Sequence, residues 1–137
     1  MLATVGESEG SLADILMATG RQLLSIVLSP ESIAFHRIVF SEAARLPELC
    51  AHVYQDSRRD SQSSILDLFR RLADRGVLRD GDIAFLSQHF IQAIVGTPLR
   101  NALLGAPPMT AHAREEHVRK AVGFFLHGIV APAPHSK

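Results

Sequence analysis

The sequence has no excess charge of either sign, almost no cysteine and no long apolar run, and each shortage removes a class of function. Lysine plus arginine equals aspartate plus glutamate at 14 each, so no net basic field draws the chain onto phosphates and no acidic excess holds it unfolded. DNA binding by these residues alone is not expected. Cys50 is the single cysteine, so it cannot close an internal disulfide and reads as a small buried hydrophobe in a reducing compartment. The longest uncharged stretch, Ile83 to Leu99, is interrupted by Ser87, Gln88, His89, Gln92 and Pro98. It falls short of the roughly 20 mainly apolar residues of a membrane span. Met1 is not followed by the basic and apolar regions of a secretory leader. A soluble cytoplasmic protein without a membrane partner is expected.

The chemistry of catalysis is missing as well. There is no phosphate-cradling glycine loop and no compact carboxylate pair on an apolar face. Gly6-Glu7-Ser8-Glu9-Gly10 spells the letters of a nucleophile elbow, but no apolar strand precedes it. Cys50 and His52 lie two apart on a helical pattern, where side chains diverge. The 7 histidines include no pair at i, i+4 and no paired Glu-x-x-His segments, so neither a metal nor any other cofactor is expected. No catalytic residues are assigned.

What is present is apolar periodicity. Of 137 residues, 47% are hydrophobic and 20% charged, enough to close one core. The apolar positions recur at helical spacing and strand alternation is nearly absent, which predicts an all-α bundle of about five helices over 11–130, between a loose lead at 1–10 and a loose tail at 131–137. Ser11 and Asp14 start the first helix, which runs to Leu28. Ser29-Pro30-Glu31 starts a second, to about Leu46, because serine caps free amides, proline is tolerated at the first position and glutamate suits the positive end. Pro47 opens a third to Gly76, either continuous or broken near Asp56 to Asp60. The fourth runs from Asp80-Gly81-Asp82 to about Leu104 with a bend at Pro98, and the fifth from Thr110 to about Gly128.

The helix faces suggest binding. On the second helix His36 falls at the centre of an apolar arc of Ile33, Val39, Phe40, Ala43 and Ala44. It is either a core histidine bonded to a carbonyl or water, or an orienting group in a ligand cavity. Tyr54, Arg58 and Ser61 pose the same choice on the third helix. The fourth helix has a core face, with Ile83, Leu86, Phe90, Ala93, Ile94 and Thr97, and a second stripe at alternating spacings of four and three: Phe85, His89, Gln92, Gly96, Leu99 and Leu103. The fifth holds Val118, Ala121, Val122, Phe125, Leu126 and Ile129 inward, with His117, Phe124 and Gly128 to one side. These surplus stripes either pack inside one subunit or meet a second copy across a two-fold axis.

The segment Leu28 to Leu49, LSPESIAFHRIVFSEAARLPEL, resembles the C-terminal domain of TetR-family transcriptional regulators. Val53-Tyr54, Arg75 to Asp80, Leu103-Leu104-Gly105 and Val122 to Leu126 extend the match in order, from Ser11 to about Gly128. The resemblance implies an effector-binding and dimerisation domain of a repressor. Operator DNA would be read by an N-terminal helix-turn-helix head, and the residues before Ser11 are too few to supply one. It implies a homodimer through the last two helices, with Phe85, His89, Gln92, Gly96, Leu99, Leu103, His117, Ala121, Phe124 and Gly128 at the interface. It implies a pocket for a small, mainly hydrophobic effector among Phe35, His36, Val39, Phe40, Tyr54, Arg58, Phe69, Leu86 and Phe90. The competing expectation is a self-contained helical dimerisation or adaptor module that binds protein and encloses no cavity.

Overall fold

The computed structural model describes residues 11–133. The expected lead at 1–10, with its Gly-x-Ser-x-Gly letters, and the end of the expected tail lie outside them. Among the described residues there are five helices and no strand: α1 (Leu12–Val27), α2 (Pro30–Glu42), α3 (Pro47–Asp74), α4 (Ile83–Leu103) and α5 (Ala111–His127).

Capping chemistry sets four of the five starts. The side-chain oxygens of Ser11, Ser29, Asp82 and Thr110 accept from the amides of Asp14, Ser32, Phe85 and Ala113 at 3.1–3.2 Å. α3 has no side-chain cap and begins on Pro47, whose missing N–H costs nothing at a first position. The same proline ends the preceding helix early. Leu46 is forced out of helical geometry, to φ −128° and ψ 63°, and α2 stops at Glu42 rather than near Leu46. α3 is continuous through Asp56 to Asp60, which removes the broken alternative. Gly76 and Gly105 follow α3 and α4 with φ of +75° and +86°, the left-handed geometry that closes a helix end most easily without a Cβ.

The core is built from α1, α3, α4 and α5. Phe69 of α3 and Phe90 of α4 are fully buried and meet at 5.6 Å between ring centroids, with Phe125 of α5 at 5.3 Å from Phe90 in an edge-to-face arrangement. Leu16 and Leu24 bring α1 into the same cluster. Gly20 lets α1 lie close against two neighbours, since a Cβ there would come within 2.9 Å of Val118 Cγ1 and 3.0 Å of Ile94 Cδ1. At the surface, Arg21 grips Glu115 with two hydrogen bonds of 2.8 and 2.6 Å, joining α1 to α5. The bond from Arg21 holds the Glu115 carboxyl below its ordinary range. Both groups are half exposed, so this pair orients the helices more than it stabilises them.

α4 runs unbroken through Pro98, at a cost that a histidine offsets. Proline has no N–H, so the carbonyl of Ile94, four residues back, loses its helical donor. His117 of α5 donates to that carbonyl from Nε2 at 2.8 Å. Ile94 is fully buried, so water cannot easily replace the bond. His117→Leu should therefore lower unfolding free energy by about 1–3 kcal/mol. His117→Gln, which keeps a donor, should recover much of that loss in urea denaturation. Equal stability of the leucine variant and the parent would show that the carbonyl is satisfied otherwise.

Candidate functional site

α1 ends at Val27 and α2 begins at Pro30, with a turn of 63° between them. α2 therefore departs from α1 and crosses the far end of α4, where Arg37 Nη2 donates to the carbonyl of Ala102 at 3.1 Å. This crossing leaves space between α2, the middle of α3 and the second half of α4. The result is a cavity of about 900 Å³, within the range of small-molecule sites.

Its walls are mainly apolar and aromatic. α1 contributes Leu23, Ile26 and Val27; α4 contributes Ile91, Val95, Leu99 and Leu103; α2 contributes Phe35, His36 and Phe40. His36 is the organising residue. Its ring meets Phe35, Phe40 and Tyr54 edge-on at centroid distances of 5.7, 5.8 and 5.6 Å. Nδ1 lies 2.7 Å from the Ser32 carbonyl, which can only accept, so Nδ1 carries the proton. In the neutral ring, Nε2 is then left as an acceptor. The two readings of His36 left open by the sequence are thus compatible: it is buried and bonded to a carbonyl, and it also lines the cavity.

α3 supplies the polar wall. Tyr54, Ser57, Arg58, Ser61 and Gln62 line the cavity, whereas Cys50, Ile65, Leu68, Phe69 and Leu72 of the same helix are buried. Arg58 Nη1 donates to Tyr54 Oη at 2.6 Å, and the guanidinium carbon sits 4.8 Å from the tyrosine ring centroid. The stacked ring and the hydrogen bond together fix the cation against the wall.

Of the residues predicted to form a pocket, Phe35, His36, Phe40, Tyr54 and Arg58 come together here. The others do not. Phe69 and Phe90 are fully buried in the aromatic core, Leu86 packs against that core, and Val39 is buried without lining the cavity. The stripe on α4 also divides. Gln92, Gly96, Leu99 and Leu103 line the cavity, because α2 crosses that end of the helix. His89 instead lies with His117, Ala121, Phe124 and Gly128 in a smaller hollow of about 450 Å³ between α4 and α5, and Phe85 stacks beside His89 at 6.0 Å. A single face of one helix serves two neighbours because the stripe fixes an angle, not what lies over each turn. Ile91, Val95, Ile26 and Arg100 are cavity residues that periodicity did not select.

Among the described residues, no group of three or more histidine, cysteine, aspartate or glutamate side chains could hold a metal ion, and no single helix is long and apolar enough to cross a membrane. No curated protein matches the sequence. A solved structure of a TetR-family transcriptional regulator from Mesorhizobium loti superposes with a TM-score of 0.80 at 21% identity, covering 91% of this chain. This chain spans 62% of the length of that one. The family model for the C-terminal domain of AefR-like transcriptional repressors matches residues 14–128. That is a class of transcriptional-regulator domains rather than of enzymes, and its match takes in all of α2, α3, α4 and α5 and nearly all of α1. The chain belongs to the family of AefR-like transcriptional repressor C-terminal domains, a branch of the TetR-type regulators.

Proposed function

We propose that this chain is the effector-binding and dimerisation domain of a cytoplasmic TetR-type repressor. The observation that carries the proposal is the cavity of about 900 Å³ walled by Phe35, His36, Phe40 and Tyr54 and roofed by the second half of α4. Its aromatic edges suit a small hydrophobic molecule, and the lone pair on His36 Nε2 would take a hydroxyl or N–H from it. In this reading DNA contact belongs to an N-terminal helix-turn-helix head, which the five described helices do not include. Occupying the cavity would shift the balance between two placements of α1 relative to α4, and so between DNA-competent and DNA-incompetent dimers. α1 is the helix best placed to transmit such a shift, since Leu23, Ile26 and Val27 touch the cavity while Leu16 and Leu24 sit in the core.

A self-contained adaptor module would account for the exposed apolar surface of α4 and α5, but it leaves the cavity without a use. Thermal unfolding against a panel of hydrophobic compounds separates the two. A compound at a hundredfold excess over its Kd should add about 2.7 kcal/mol of stability, which raises Tm by several degrees. Tyr54→Ala or His36→Leu should shrink that rise. A panel without effect on the parent, or a rise of equal size in both variants, would count against effector binding.

A further inference from the structure

We propose that the cavity selects an apolar carboxylic acid, with Arg58 receiving the carboxylate. This rests on the effector-binding reading and adds the chemical class of the ligand. Arg58 is only partly exposed, and within the cavity wall its guanidinium has one hydrogen-bond partner, the neutral Tyr54 Oη, held by Nη1. No carboxylate of the described residues comes within ion-pairing distance of it, while its neighbour Arg59 turns away to Asp56 at 2.5 Å. The Nε and Nη2 edge, the side that matches a carboxylate with two parallel hydrogen bonds, has no acceptor among the described residues.

A cation held half out of water and lacking an anion costs solvation free energy, which a ligand carboxylate would return. Tyr54 is the positioning residue. Its ring carries the guanidinium at 4.8 Å and its hydroxyl oxygen occupies Nη1, so the remaining fork keeps one orientation before any ligand arrives. Arg100 and Glu31 also line the cavity, so the fixed charges there favour an anion by one, two cations against one carboxylate. Most of the remaining wall surface is apolar, which suits a ligand body of hydrocarbon or aryl. A volume of about 900 Å³ leaves room for a body much larger than the carboxylate itself.

The test compares octanoate with octanamide, which has the same chain and nearly the same head without the charge, by isothermal titration calorimetry. Octanoate is expected to bind about tenfold or more tightly than octanamide. In Arg58→Gln the ratio should fall to near one, and in Arg58→Lys, which keeps the charge without the fork, it should lie between. The comparison on the parent protein needs no variant to fold. Equal affinities for acid and amide, or a preference that survives in Arg58→Gln, would overturn the assignment of the carboxylate to Arg58 while leaving the cavity a hydrophobic binding site. Binding of neither compound would overturn both.

Discussion

Phe90→Ala should lower unfolding free energy by about 3–5 kcal/mol, read as a fall in the urea midpoint with an unchanged slope. The loss is large because the ring has no exposed surface and its removal leaves a cavity among packed aromatic rings. Phe69 approaches from α3 at 5.6 Å and Phe125 from α5 at 5.3 Å, so three helices lose contact area at once. With typical domain stabilities of about 5–15 kcal/mol, the variant would sit near the edge of folding at body temperature. Phe124, one residue before Phe125 on α5, provides the contrast. It is 65% exposed, so within a single subunit its truncation to alanine removes little packing. A loss of less than about 1.5 kcal/mol for Phe90→Ala, the range of volume-conserving swaps, would mean that the aromatic cluster is not the centre of the core.

The same phenylalanines show what the sequence could and could not reveal. Start signals and apolar spacing were enough to place all five helices, because Ser11, Ser29, Asp82 and Thr110 each act through bonds three residues away and Pro47 opens α3. The continuity of α3 was not legible: the polar run from Gln55 to Ser64 suits a loop as well as a helix whose middle faces solvent and a cavity. The resemblance implied Phe69 and Phe90 as cavity residues, but both rings sit in the aromatic core, and periodicity marks a covered helix face without saying whether core or ligand space covers it. Gln92, Gly96, Leu99 and Leu103 read as one seam with Phe85 and His89, whereas within one subunit they line the cavity. The role of His117 was legible in principle. Pro98 marks Ile94 as a carbonyl in need of a donor, but the donor's identity required knowing that α5 crosses there. Arg58 was a pocket candidate from the sequence, but its pairing with Tyr54 and its lack of a carboxylate partner among the described residues became visible only in the structure.

Phe124→Arg should convert the proposed dimer into a monomer, seen by light scattering as a halved mass and by a Tm that no longer rises with protein concentration. Phe85 and Phe124 are 64% and 65% exposed in one subunit, and Ile129, just past the end of α5 and lining the same hollow as Phe124, is 90% exposed. Around them lie His89 and Ala121, the lining of the smaller hollow between α4 and α5. Apolar surface gathered in one place on two adjacent helices is what an isologous interface covers, each copy presenting the same patch. Arginine at position 124 would place a charge in that patch on each copy, and burying an unpaired guanidinium costs far more than the lost ring contributes. Ile38→Arg is the matched control. Ile38 is also 65% exposed but lies on α2, outside the hollow between α4 and α5, so the change should leave the mass as it is. A Phe124→Arg protein that keeps the parent's mass would place the subunit contact elsewhere, and the exposed surface of α4 and α5 would then be free for a different protein.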